Sequence, residues 1–428
     1  MSLRFQCVQV LQKILEGKIF FAELKNDFKP NDTAFANELI LTALRRKAVI
    51  DEALNTLLKK KIAQKYNVLN YILLAASTEL IYLNTPDYAV INEYVNIAKK
   101  TCGLFSSKMI NAVLHQMALK KDALKNKVQL PQNFVQILKK DYTLEQIGQI
   151  RDCLLTQPML DLSFVNQEDI SALNADLTIF ENKTVRLKNP PANIRQITGY
   201  NEGKWWVQDL SAALPVSCLK DIAQKKVLDM CAAPGGKTAQ LLSKGAIVTA
   251  LDISPSRLNR LKENISRLKL EKNLTIHCIE ASDFLNKTDE LYDLILLDAP
   301  CSATGTFRRH PEVLHIKTID DVKTSALVQK KLLDLAAAHV KKGGKLLYAT
   351  CSIAKDEGEG QIDAFLKTHA DFVLDDMQIA PCDIKNAKKI DKTVFYKKML
   401  RTLPYHMADD GGTDAFFAAL LTRKENKC

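Results

Sequence analysis

Two cysteines close apolar runs in the second half of the chain. One ends Leu294-Ile295-Leu296-Leu297-Asp298-Ala299-Pro300-Cys301-Ser302, and the other ends Leu346-Leu347-Tyr348-Ala349-Thr350-Cys351-Ser352. A single cysteine in such a place is usually an inert core residue. Two at matched strand ends, opening on one crevice, read instead as carrying a nucleophile. A thiolate attacks well at neutral pH once its pKa is lowered. A third stretch, Lys226 to Thr238, runs KVLDMCAAPGGKT. It is a short apolar strand, an acid (Asp229), a small-residue turn from Ala232 to Gly236, and a helix opening at Lys237 and Thr238. Such a turn directs free backbone N–H groups at one place, and glycine lets a ligand come close. The pattern implies a nucleotide-type cofactor. The G-x-G-x-x-G fingerprint is absent, and a P-loop fails because Cys231 stands where its first glycine belongs.

Other residues take places around the same crevice. Asp252 ends the next strand and is placed to accept hydrogen bonds from ribose hydroxyls. Asp283 follows the strand after that and would meet an adenine amino group. Arg308-Arg309-His310-Pro311-Glu312 reads as a basic loop that clamps phosphates at the mouth of the site, or as a merely solvated loop. Trp205-Trp206 would stack on bases, or place one ring in a core and one at a seam between domains. The seven histidines form no constellation, and the ten cysteines contain no C-x-x-C pair, so no metal is expected. Dispersed cysteines fit a reducing, cytoplasmic setting. No apolar run is long enough to span a membrane.

The elements that position these residues alternate. Strands are expected at 227–229, 247–252, 274–278, 292–298, 345–349, 372–375 and 415–421, the last at a sheet edge. Helices are expected at 238–242, 256–268, 324–340 and 357–367. This rhythm implies a mostly parallel, Rossmann-like α/β sheet over 216–428. A small α/β linking domain precedes it over 126–215, with strands at 159–165 and 184–187 and a boundary in the basic stretch 125–132. Residues 1–125 read as an all-α domain. Ile50, Leu54, Leu57 and Leu58 share one helix face. Residues 71–83 are apolar on nearly every side, as a central buried helix would be. Thr85 reads as an N-cap with Pro86 at the first helical position, and Gly103 reads as a stop. A net charge of +11 in 428 residues favours a nucleic-acid partner.

The helical region resembles the antitermination-factor NusB fold. The likeness rests on Asn37-Glu38-Leu39 ahead of Arg45-Arg46, Glu79-Leu80-Ile81-Tyr82-Leu83 before Pro86, Val90-Ile91-Asn92-Glu93, and Ile110-Asn111-Ala112-Val113-Leu114. It implies an RNA-binding helical domain. The segments Asp229 to Thr238, Asp298 to Ser302 and Thr350 to Ile353, in this order, resemble the Nop/Sun family of RNA cytosine-5 methyltransferases. With the NusB-like part, the likeness covers essentially the whole chain and points to the bacterial branch acting on 16S ribosomal RNA.

By that resemblance the cofactor is S-adenosylmethionine, lined by Cys231, Ala232, Ala233, Pro234, Gly235, Gly236, Lys237, Asp252, Asp283 and Asp298. The resemblance makes Cys351 the nucleophile, attacking carbon 6 of cytosine so that carbon 5 becomes methylated. Cys301 would assist release of the RNA. Asp298 would hydrogen-bond the cytosine ring, and Lys237, with Arg308 and Arg309, would favour RNA. The implied partner is 16S RNA or a small-subunit assembly intermediate, with the protein a monomer. Two departures from the family occur. Ala354-Lys355-Asp356-Glu357 lacks the proline of TCSxxPEE, and Ala415 replaces a glycine in Gly412-Thr413-Asp414-Ala415-Phe416-Phe417. Two rival readings are a non-catalytic ribosome-assembly factor and an amino-methyltransferase acting on adenine. The first has no need for both cysteines. The second usually carries Asn or Asp followed by Pro-Pro and an aromatic residue, unlike Asp298-Ala299-Pro300-Cys301.

Overall fold

The computed structural model describes residues 2–24, 28–173, 175–191, 193–379, 384 and 386–425. They divide into two compact units, one of residues 1–156 with 307–319 and one of residues 157–306 with 320–428.

The first unit is helical. Val68–Tyr82 carries so many apolar residues that no face suits water, and it is the buried centre between Leu3–Gly17, Thr33–Leu57 and Asp87–Leu119. Its one carboxylate, Glu79, is wholly buried. The Arg4 guanidinium forks onto it at 2.6 and 2.9 Å, and the Tyr94 hydroxyl donates to it at 3.1 Å. Pro86 itself occupies the N-cap position of Asp87–Leu119, one residue later than the expected Thr85 cap. That helix breaks at Gly103 (φ +88°), which takes a conformation that side-chain-bearing residues avoid.

The helical unit runs on past the basic stretch at 125–132. Gln132–Lys139 and Leu144–Asp152 belong to it, the latter opened by a reciprocal cap between Thr143 and Gln146. Segment 307–319 packs here too. Phe307 meets Phe134 edge-on at 5.5 Å, and Asn133 donates to the Leu314 and Lys317 carbonyls. Arg45 donates to the Arg308 carbonyl, and Arg46 donates to the Lys127 carbonyl while lying over the Tyr82 ring. Both arginines therefore brace the unit. Burial and the nearby Arg46 and Arg308 guanidiniums pull the Arg45 pKa down to about 10.

The second unit holds two sheets. The smaller is antiparallel, in the order β2-β3-β1-β4, from β1 (Leu160–Phe164), β2 (Leu177–Ile179), β3 (Val185–Leu187) and β4 (Trp205–Val207). Side chains alternate across a strand, so the adjacent tryptophans part company. Trp205 fills the core of this small sheet and Trp206 joins the core of the larger one, both nearly without exposure. Base stacking by either ring is excluded by that burial.

The larger sheet has nine strands. Its path is β11-β12-β13-β9-β8-β5-β6-β7, and β10 pairs with β13 off that path. The strands are β5 (Lys226–Asp229), β6 (Ile247–Asp252), β7 (Leu274–Cys278), β8 (Tyr292–Asp298), β9 (Val340–Thr350), β10 (Phe372–Leu374), β11 (Phe395–Tyr396), β12 (Met399–Thr402) and β13 (Phe416–Arg423). β5 to β9 are parallel. From β5 the chain winds outward to β7 on one side, then returns to β8 and β9 on the other, so strand order reverses between β5 and β8. Ligand crevices form at the carboxyl ends of strands at such a reversal. β13 is antiparallel and lies inside the sheet, not at the expected edge, because the β11–β12 hairpin adds beyond it. The hairpin strands are two and four residues long, too short for their periodicity to stand out.

Candidate active site

The turn after β5 is held largely by its own backbone. The Ala232 N–H donates to the Leu251 carbonyl at 2.8 Å, Gly235 N–H to the Ala232 carbonyl at 2.9 Å, and Ala233 N–H to the Asp252 carboxylate at 3.2 Å. Arg257 closes the ring by donating to the Ala233 carbonyl and lies 3.5 Å from Asp252. Three N–H groups of the turn are thus turned inward, which corrects the expectation that they face a ligand. Gly235 is required twice over. Its φ is +101°, and a Cβ there would lie 2.8 Å from Leu261.

Carboxylates dominate this end of the crevice. Asp229, Asp252 and Asp298 close the adjacent strands β5, β6 and β8. Asp229 is wholly buried. One of its oxygens accepts from the Thr238 hydroxyl at 2.7 Å and the other has no hydrogen-bond partner. Burial, and to a smaller degree the charges of Asp298 and Asp252, push its pKa up to about 7. Lys237 lies 2.8 Å from Asp298 and 4.6 Å above the Phe416 ring, and is nearly buried. Its charge is directed at Asp298, not at solvent. Burial drives the Cys231 thiol far above its usual range, so this cysteine stays protonated and inert. Asp283 sits in the first turn of the short helix Ala281–Leu285, exposed.

This donor set fits S-adenosylmethionine. Three acids, one of them Asp229 with an unpartnered buried oxygen, suit a ligand carrying a sulfonium and an ammonium group.

The two cysteines meet. β8 and β9 are direct neighbours, with Asp298 opposite Ala349, and their turns bring the Cys301 and Cys351 Sγ atoms to 3.3 Å. The hydrogen bond with Cys351, and then burial, raise the Cys301 pKa well above its usual value. The Gly305 N–H donates to the Cys351 carbonyl at 2.9 Å, and the Ala415 N–H donates back to the Gly305 carbonyl at 3.0 Å. A Cβ on Gly305 would fall 2.2 Å from the Ala415 carbonyl oxygen. The Arg401 guanidinium reaches the Ser352 carbonyl at 2.6 Å and forks onto Glu359.

Arg308 is a correction. It is 2% exposed, so it offers no phosphate clamp at an open rim, and Arg309 beside it is half-buried. Segment 307–319 is apolar enough, with Phe307, Val313, Leu314 and Ile316 all buried, to pack as core in that unit. Three supporting residues escape a reading of the sequence as site residues. Asp229 had its signal in the strand-end acid. Gln329, mid-helix in Ile319–Ala338, and Arg401 on β12 had none.

A protein-family model described as 16S rRNA methyltransferase RsmB/F matches residues 216–422, and the NusB family model matches residues 1–119. The ribosomal RNA small subunit methyltransferase B of Proteus mirabilis is 32% identical over 443 residues, covering 97% of this chain and 96% of its own. The fold is similar to the crystal structure of PH0851, with TM-score 0.75 at 22% identity over 99% of both chains. It is also similar to NSun6 from Pyrococcus horikoshii, solved with SFG, with TM-score 0.56 at 18% identity over 69% of this chain and 99% of that one.

Proposed function

We propose a reaction for this chain, which belongs to the RsmB/F family of 16S rRNA methyltransferases. It is an S-adenosylmethionine-dependent methyltransferase, and its product is 5-methylcytosine in RNA, with 16S ribosomal RNA or a small-subunit assembly intermediate as substrate. The observation that carries this reading is the 3.3 Å approach of the two thiols just past the ends of β8 and β9. An amino-methyltransferase has no use for a thiol at that place.

S-adenosylmethionine supplies an electrophilic methyl group on a sulfonium. The residues from Cys231 to Lys237, with Asp229, Asp252, Asp283 and Asp298, would hold it. Cytosine carbon 5 is a poor nucleophile. Attack by the Cys351 thiolate on carbon 6 forms a C–S bond and moves the ring's electron pair onto carbon 5, which then takes the methyl group. Loss of the carbon-5 proton returns that pair, the C–S bond breaks, and Cys351 leaves as thiolate. Cys301, neutral and in contact with Cys351, serves the release step. Asp298 hydrogen-bonds the cytosine ring as charge develops. The target base must be single-stranded or flipped from its stack to reach Cys351.

The decisive experiment transfers labelled methyl from S-adenosylmethionine to RNA from cells lacking the gene and identifies the labelled nucleoside by mass. Label in 5-methylcytosine of small-subunit RNA is expected. Label in a methylated adenine would overturn the reaction. A reading as a binding factor would require no label on either free RNA or ribosomal particles.

A further inference from the structure

We propose that Glu357 is a positioning residue that sets the distance between the two cysteine thiols, an assignment that rests on Cys351 and Cys301 being the reacting pair. Glu357 closes the short 3-10 turn Lys355–Glu357 and is wholly buried. Its side-chain partners are neutral. One carboxylate oxygen accepts from the Ser302 N–H at 2.8 Å and from the Gln329 amide at 2.9 Å. The other accepts from the Ser302 hydroxyl at 2.5 Å and from the Ser352 hydroxyl at 2.5 Å.

Ser302 and Ser352 are the residues directly after Cys301 and Cys351. One carboxylate therefore grips both cysteine turns at the same relative position. Thr304 ties the bracket tighter, with its hydroxyl 3.0 Å from each serine hydroxyl. The Glu357 main chain is fixed in turn, since its carbonyl accepts from the Tyr348 hydroxyl at 2.8 Å and the Thr350 hydroxyl at 3.2 Å, both on β9. Gln329 also donates to the Pro300 carbonyl at 2.9 Å, bracing the residue before Cys301.

A buried carboxylate without a cation is costly, and four donors are what make it tolerable. Stability alone does not call for such an arrangement, since an apolar cluster of the same volume commonly does as well. What the network supplies is geometry. Hydrogen bonds of fixed length from one rigid group to two turns define how far apart those turns lie. Reaction rates respond to displacements of about 1 Å by factors of about a hundred.

The test uses the full-length protein and diamide, an oxidant that takes two electrons and two protons from a pair of thiols and leaves a disulfide. Wild-type protein should cross-link Cys301 to Cys351 rapidly. Glu357→Ala should slow that cross-link at least about tenfold and lower kcat for methyl transfer about a hundredfold. RNA KM and S-adenosylmethionine affinity should stay within about threefold of wild type. Glu357→Gln should restore both rates, because the amide oxygen can accept from Ser302 N–H and Gln329 while its NH2 donates to the two serine hydroxyls. Should Glu357→Ala not fold, Ser352→Ala leaves the carboxylate in place, removes one arm, and should slow cross-linking about threefold. Unchanged cross-linking in a folded Glu357→Ala or Ser352→Ala protein overturns the proposal, as does failure of Glu357→Gln to restore it. Cross-linking reads thiol geometry without any catalytic assumption. An active Cys351→Ala would therefore sink the nucleophile assignment separately.

Discussion

The two sides of the crevice are built from different materials. After β5, backbone hydrogen bonds and glycine hold the turn, and the side chains facing the crevice are mainly acids. After β8 and β9, buried side chains from the Ile319–Ala338 helix, the 355–357 turn and β12 hold the cysteines. A backbone-built cradle tolerates change in its neighbours but not in its own glycine. A bracket built from side chains is sensitive at residues that never meet the substrate. The cofactor side and the nucleophile side should therefore fail independently.

Cys351→Ala gives the largest separation. Methyl transfer should fall on the order of 10^4-fold or more, while equilibrium binding of labelled S-adenosylmethionine stays at the wild-type level. Retained turnover would remove the nucleophile from the cysteine side. Cys301→Ala should let the attack proceed and stall the release, so a protein–RNA adduct should build up on denaturing gels. An active Cys351 with no adduct in this variant would strip Cys301 of the release role. Gly235→Ala strikes the other side. The strained φ and the contact with Leu261 should cost about 1–3 kcal/mol of stability and weaken cofactor binding, as melting curves and calorimetry would read. Diamide cross-linking of the thiols should be unaffected. If cross-linking collapses as well, the two sides are not independent. Arg401→Ala removes a charged donor from the Ser352 carbonyl, and a loss of about 1–2 kcal/mol should appear as roughly tenfold slower transfer with cofactor affinity intact.

The smallest effect is one of pH. Burial raises the Asp229 pKa from 3.8 to about 7. The folded state then holds a proton that the unfolded chain has already released. This contribution to stability is complete below about pH 4 and fades as pH rises through about 7, by on the order of a few kcal/mol. Urea titrations at pH 5 and 8 should show wild type losing ground to Asp229→Asn over that interval. Equal slopes for the two proteins would mean that Asp229 is ionised throughout.

The same contrast governs what the sequence discloses. β7 and β8 lie at the expected residues, and Asp229, Cys301 and Cys351 stand at expected strand ends, because strand periodicity and turn chemistry are local. The bracket behind the cysteines is assembled from Ser302, Gln329, Ser352 and Glu357, which lie up to 55 residues apart. No local pattern marks a serine or glutamine as the partner of a distant carboxylate. The basic run at Arg308 misleads for a related reason. Two arginines in a row look solvated, and only the buried Phe307, Val313, Leu314 and Ile316 around them indicate that the segment packs inward. The paired tryptophans behave in the same way, since alternation along β4 sends each ring to a different core.

Segment 307–319 has a consequence for how the polypeptide is made. It is core of the helical unit, yet it is encoded between β8 and β9. A ribosome that has released residues 1–156 has not yet supplied Phe307 to cover Phe134 or His315 to cap the Leu44 carbonyl at 2.7 Å. At elongation speeds of about 5–20 residues per second the missing piece emerges roughly 10–30 s later. The nascent helical unit must wait with an unfilled groove while β1 to β8 are being synthesised. A gene fragment ending at residue 156 carries that groove permanently, and co-expression with a peptide spanning 307–319 is the natural way to fill it.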